Sequence, residues 1–321
     1  MAKYLACGNV LYDSVKDIEG HDFGEHIGGQ ALYAASGIRV WTKDVKMVAN
    51  GGKLDFDQYL QWFKNNDLTT EGINFEQDYT AHVCMQHTES GAYKTATADS
   101  GLVYNEYLQG MMELRMEQIE ANIDEDTVAI YHHPHIPDTV YFDKIGKMRE
   151  KYGIRFMYEL VYGRRFLPEP YFNLNKLKDA VKVAGMWSLN RNEAEILFDI
   201  PRDRDEDMIA QLQKFPEFEM CYYRCGSKGA YVVTKEKAVF VPLIDVTDSV
   251  DPVGCGNCST GTAMAAWCET GGDLLMTGIM SAISAGFNAA QSGPWPCYSP
   301  EDEELARRMA DEYYRKLSKQ E

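Results

Sequence analysis

Hydrophobic positions along the chain fall in short unbroken runs, separated by longer segments with helical spacing. Residues 3–10, 47–49, 127–131, 154–158 and 220–224 read as buried strands. Residues 181–184 with 187–189 read as one more, and residues 231–245 as a β-rich segment. Unbroken apolar runs suit strands covered on both faces, as in a parallel sheet. Residues 31–40, 57–65, 110–123, 143–152, 194–198, 208–214, 258–268, 274–291 and 300–317 carry the helical pattern. Strands and helices alternate with no Pro/Gly/Ser-rich linker, internal repeat or low-complexity tract. This predicts one α/β domain over residues 1–321, a doubly wound, mostly parallel sheet flanked by helices. Between residues 73 and 104 the pattern changes to short β segments, 81–85 and 92–98, around the turn Thr88-Glu89-Ser90-Gly91. A small β subdomain covering a site or forming a dimer surface is expected there.

Charge narrows the partners. Lys and Arg number 32 against 49 Asp and Glu, a formal net charge of −17, which argues against a nucleic-acid face. A phosphorylated small ligand remains compatible, because a helix N-terminus with one or two cations supplies local positive potential. No apolar run approaches a membrane span, and Met1-Ala2-Lys3-Tyr4 leads into a strand pattern rather than a signal peptide. A cytoplasmic protein with no membrane partner is expected.

Eight cysteines are present, and Cys221, Cys225 and Cys255-x-x-Cys258 permit a zinc or redox reading. They lie in apolar strand and helix sequence, which favours buried reduced thiols. His132-His133-Pro134-His135 ends a strand with no carboxylate or further His at helical spacing, so substrate contact or loop packing is favoured over a metal. Arg164-Arg165 reads as a solvated loop pair or, less often, a phosphate contact.

The densest chemistry lies in Asp251-Pro252-Val253-Gly254-Cys255-Gly256-Asn257, between a β-rich segment and a small-residue helix. Two glycines flanking one residue suit a turn whose N–H groups converge on an anion, with Asn257 expected as the helix cap. Gly8-Asn9-Val10 with Asp13 is expected at the C-terminal end of the first strand, the end that faces the ligand crevice in such sheets. Glu159 also falls at a strand end. Gly28-Gly29 precedes a helix and allows a ligand close to the backbone.

In order, these motifs resemble the ribokinase-like carbohydrate kinases, the PfkB family, over nearly the whole chain. Asn9 and Asp13 match the family's first substrate-binding strand end, and Gly28-Gly29 its double-glycine signature. Asn190-x-x-Glu193 looks like the N-x-x-E motif. Arg224-Cys225-Gly226-Ser227-Lys228-Gly229 resembles the nucleotide-binding turn, and residues 251–257 resemble D-T-x-G-A-G-D. The resemblance implies a ribokinase-like fold with a β lid contributed mainly by about residues 11–30 and 73–105. It also implies ATP-dependent phosphoryl transfer to a hydroxyl of a sugar or related polyol. Gly254, Cys255 and Gly256 would form the anion hole. Asn190 and Glu193 would hold Mg2+ through water, and Asp251 matches a position that holds a monovalent cation, K+, in relatives. Arg224, Gly226, Lys228 and Gly229 would serve the nucleotide, with Asn288 bordering it. A homodimer through the β lid is implied.

Two positions depart from the pattern. The family's base, an Asp, is here Asn257, whose amide hydrogen-bonds but does not accept a proton near neutral pH. Tyr33 stands where the family offers an Asn to the sugar, after Gly28-Gly29-Gln30-Ala31-Leu32. Two readings follow: a kinase with altered base chemistry, or a kinase fold that binds a sugar or nucleotide as a sensor or regulator.

Overall fold

Strand β1 (Tyr4–Cys7) shows why the apolar runs are unbroken: Tyr4 and Ala6 face one hydrophobic core, Leu5 and Cys7 the other. A computed structural model describes residues 2–87, 93–96, 113–134, 139–160 and 174–319. Among them, β1, β4 (Val45–Gly52), β5 (Ile73–Gln77), β8 (Ala129–His132), β9 (Arg155–Glu159), β10 (Gly185–Asn190) and β11 (Met220–Arg224) run parallel. Strands β12 (Gly229–Val233) and β13 (Ala238–Pro242) add an antiparallel edge. The nine-stranded order is β13-β12-β11-β10-β9-β8-β1-β4-β5.

On one face, α1 (Gln30–Arg39) and α8 (Cys255–Glu269) lie against each other. A Cβ on Gly261 would stand 2.8 Å from Ala34 Cβ, so the small residues of both runs let the two backbones close up. α2 (Asp57–Asn65) and α9 (Leu274–Ala289) complete the packing around them, with α10 (Pro300–Leu317) outside α9. The other face carries α3 (Met116–Glu120), α4 (Thr139–Tyr152), α5 (Leu174–Ala184), α6 (Arg191–Phe198) and α7 (Asp205–Leu212).

A second sheet, ordered β3-β2-β6-β7, is built from β2 (Leu11–Lys16), β3 (Asp22–Gly28), β6 (Ala81–His87) and β7 (Tyr93–Ala96). Tyr59 on α2 ties its base to the main body: the hydroxyl lies 2.5 Å from Leu11 O and 2.9 Å from Gly28 O.

Several sequence expectations shift. The first strand stops at Cys7, because residues 11–16 find their ladder partners in β3 and β6 rather than in the main sheet. Asp13 therefore sits within a strand of the small sheet, not at the end of β1. Residues 73–77 pair with β4 in the large sheet, and the chain re-enters the small sheet at Ala81. Residues 181–184 close α5 instead of forming a strand: Leu177, Ala180, Val181 and Ala184 make one buried stripe at helical spacing. Gly185, at φ 83°, ends that helix. Within 110–123 the described helix is Met116–Glu120 alone, started where Arg115 N donates to Gln118 Oε1 at 2.8 Å. The turn at 88–91, the remainder of the lid at 97–105, His135 and Arg164-Arg165 lie outside the described residues.

Candidate active site

The C-terminal ends of the parallel strands carry Asn9, His133, Glu159, Asn190 and Arg224, and the start of α8 faces them. Gly254 is the N-cap of α8 at φ 81°, a left-handed conformation that glycine takes without strain. A Cβ there would run into the ring of Tyr33. No side chain caps this helix. Cys258 N reaches Gly254 O at 2.9 Å and Cys255 N reaches Pro252 O at 3.2 Å. The Gly256 and Asn257 amides lie in the first turn, where the helix itself offers no acceptor. With 15 residues of aligned peptide dipoles behind them, they carry partial positive charge.

Buried residues hold this turn. Asp251 Oδ1 accepts from Val253 N at 3.0 Å, and Asn288 Nδ2 donates to Val253 O at 2.7 Å. Asn288 is fully buried and lies 3.4 Å from Cys255 Sγ, so it acts on the site through the loop it supports. Burial pushes the Cys255 thiol up to about 11, against the pull of the Asn288 hydrogen bond, and the group stays protonated at neutral pH.

Asn257 is the third residue of α8 rather than its cap, because Gly254 has already made the turn. Its side chain points instead to the strand ends. Nδ2 lies 3.0 Å from Tyr131 Oη, 3.1 Å from Glu159 Oε2 and 3.2 Å from His133 Nδ1. The Tyr131 hydroxyl also donates to Glu159 Oε2, and Arg224 Nη2 pairs with Glu159 Oε1 at 2.9 Å. Glu193 Oε2 lies 3.7 Å from the same Arg224 nitrogen. Arg224 Nη1 occupies the place a Cβ on Gly256 would take, so the guanidinium packs directly against the first turn of α8. Burial opposes its charge, but Glu159 and then Glu193 outweigh it and raise its pKa, keeping the cation.

Asn190 and Glu193 start α6 with a reciprocal cap: Glu193 N donates to Asn190 Oδ1 at 3.0 Å, and Asn190 N to Glu193 Oε2 at 2.7 Å. On the other side of the site, Asn9 caps α1 from across the fold. Its Oδ1 accepts from Gln30 N at 3.0 Å and its carbonyl from Ala31 N at 3.1 Å. Asp13 is 2% exposed. A Cβ on Gly28 would overlap its carboxylate, Gly29 N donates to it, and Tyr33 Oη donates to Oδ2 at 3.2 Å. Burial raises Asp13 to about 7, against these two hydrogen bonds, with the Asp251 charge adding to the rise. The Tyr33 ring thus fills the space between Asp13 and Gly254.

The sequence matches the pfkB family carbohydrate kinase description over residues 5–299. The chain belongs to the pfkB family of carbohydrate kinases. Solved structures of similar fold include a nucleoside kinase from Burkholderia thailandensis in complex with inosine, 20% identical, with a TM-score of 0.71 over 96% of this chain and 97% of that one. Ribokinase from Giardia lamblia is 16% identical, with a TM-score of 0.70 over 96% and 100%. Arabidopsis thaliana ribokinase complexed with ribose and ATP is 14% identical, with a TM-score of 0.69 over 97% and 99%. No curated protein sequence matches the chain.

In this pfkB-family chain the turn after β11 is a 3-10 segment, Gly226–Lys228, with Gly226 and Lys228 exposed. Gly229 O accepts from Cys225 N at 2.8 Å and opens β12. The structure brings Gly254, Cys255, Gly256, Asn257 and Arg224 into one cluster, with Asn190 and Glu193 beside it. Asp13, Gly28, Gly29 and Tyr33 form a second cluster, joined to the first through the Tyr33 ring on Gly254. Sequence reasoning gave Tyr131, His133 and Glu159 no role at position 257. The available signal was an acid closing the apolar strand Phe156-Met157-Tyr158-Glu159.

Proposed function

We propose that this protein transfers the γ-phosphate of ATP to a hydroxyl of a sugar or related polyol, with proton handling altered by Asn257. The observation that carries this reading is the start of α8: two amides without an intrahelical acceptor, backed by the Arg224 guanidinium. Phosphoryl transfer relies mainly on positioning and charge stabilisation, which amides and a buried cation provide. Gly254, Cys255 and Gly256 shape the anion hole. Gly226, Lys228 and Gly229 lie where a nucleotide would rest against exposed backbone, and Asn288 supports the hole from beneath.

Asn190 and Glu193 offer oxygen atoms fixed by their mutual cap, a donor set that suits magnesium held through its waters. Magnesium there would neutralise phosphate charge. Asp251 supplies a buried carboxylate beneath the hole for a monovalent cation such as K+. Asn9, Asp13, Gly28, Gly29 and Tyr33 border the acceptor side. The solved relatives named with ribose or inosine make a pentose, free or within a nucleoside, the first acceptor to try. The reading carries a cytoplasmic location, where ATP is available, and a homodimer through the small sheet. Among the described residues no helix is long and apolar enough to cross a membrane.

A second reading, ligand binding without transfer, is favoured by Tyr33. Its ring fills the acceptor side and its hydroxyl covers Asp13. Mass spectrometry of a pentose, hexose and nucleoside panel incubated with magnesium-ATP separates the two. The kinase reading expects a product heavier by one phosphate. Thermal stabilisation by a panel member without any such product would establish the binding reading instead.

A further inference from the structure

Transfer of a phosphoryl group to a hydroxyl releases a proton, and the Asn257 amide cannot take it near neutral pH. Three side chains lie within hydrogen-bond distance of Asn257 Nδ2. Tyr131 already donates its proton to Glu159, and burial together with that carboxylate raises the phenol well above its ordinary value. Glu159 is 1% exposed, with one oxygen on Arg224 and the other taken by Tyr131 and Asn257. Asp13, the remaining acid on the acceptor side, is 2% exposed and lies beyond the Tyr33 ring. His133 differs from all three. It is half-buried, one residue past the end of β8, with Nδ1 3.2 Å from Asn257 Nδ2 and Nε2 buried.

Building on the kinase reading above, we propose that His133 is the general base, with Asn257 holding the acceptor hydroxyl beside its Nδ1. The hydroxyl oxygen forms a bond to the γ-phosphorus while the bond from that phosphorus to the β–γ bridging oxygen breaks. The bridging oxygen keeps the electron pair and leaves as ADP, and the hydroxyl proton passes to Nδ1 as Asn257 Nδ2 gives up its hydrogen bond there and keeps the one to Glu159. The resulting imidazolium lies across Asn257 from the Glu159 carboxylate, which is itself paired with Arg224. Glu159 on β9 and Tyr131 on β8 face Asn257, with Arg224 on β11 paired to Glu159. Asn257 on α8 contributes no charge.

The test is ADP formation from magnesium-ATP with ribose, inosine and the wider panel, followed from pH 5 to 9 for wild type, His133→Gln and Asn257→Asp. The wild-type rate is expected to rise with pH as the base loses its proton, through a limb that depends on the imidazole. His133→Gln should lose about 10²–10⁴-fold in kcat and lose the limb, with KM for ATP unchanged. Wild-type kinetics and an intact limb in His133→Gln would overturn the assignment. So would a limb that Asp13→Asn removes, because that carboxyl is itself raised to about 7, a result that does not depend on His133→Gln folding. An inert wild type beside an active Asn257→Asp would overturn the role of His133 and leave the kinase scaffold standing. If both are inert across the panel, the kinase reading itself fails and the base assignment with it.

Discussion

Asn257 and Glu159 are matched as amide and carboxylate, 3.1 Å apart in a buried setting. An Asp at 257 would set two carboxylates against each other, and one would retain its proton above the ordinary range. Between the unfolded pKa and that raised value the folded state would bind more protons, so stability would fall as pH rises. Asn257→Asp is therefore expected to melt below wild type at pH 8, by about 1–3 kcal/mol, with the gap closing toward pH 4. Calorimetric melts across that range check it. The same sign applies to Asp13, which titrates at about 7 in the fold against about 3.9 when unfolded. Wild-type stability should decline between those values and level off above them. Asp13→Asn should gain up to about 4 kcal/mol over wild type at pH 8 and nothing near pH 4, and a constant difference would contradict the assignment. Arg224→Gln strands Glu159 and Glu193 without their cation and is expected to cost about 3–5 kcal/mol in denaturant unfolding. At this scale the sequence identified Arg224, Glu193 and Asn257 by motif. It could not show that Tyr131, His133 and Glu159 meet at residue 257, because those contacts join strands far apart in the chain.

At the scale of elements, α8 and the turn before it make the site. Gly254 combines φ 81° with a ring in contact where a Cβ would go. Gly254→Ala should destabilise by about 2–4 kcal/mol in thermal melts and weaken ATP binding measured by titration calorimetry. Full stability with unchanged binding would show that the turn tolerates a side chain. The glycines and the helix were legible in the sequence, while the helix start was displaced by one turn. Asn is a common cap, and only the left-handed backbone at Gly254 shows that the cap had already been placed. The error at residues 181–184 has a similar origin. Two valines among alanines read as a strand when the buried stripe beginning at Leu177 is overlooked.

For the whole molecule, the alternation of apolar runs and helices sufficed for the doubly wound sheet, because burial on both faces leaves few polar interruptions. The division between sheets was less legible: residues 11–16 and 73–77 carry β patterns that do not record which sheet receives them. Ile18 in the turn between β2 and β3 and Phe23 on β3 are exposed at 49% and 38%, which supports the proposed role of this hairpin as a dimer face. Sedimentation velocity should give twice the chain mass, and Phe23→Glu should halve it; a monomeric wild type would remove that proposal. The direct measurement of the site is a crystal structure with magnesium and a non-hydrolysable ATP analogue. The account predicts the terminal phosphate within hydrogen-bond distance of the Gly256 and Asn257 amides, with the Arg224 guanidinium behind it. A nucleotide whose phosphates lie away from the start of α8 would contradict it.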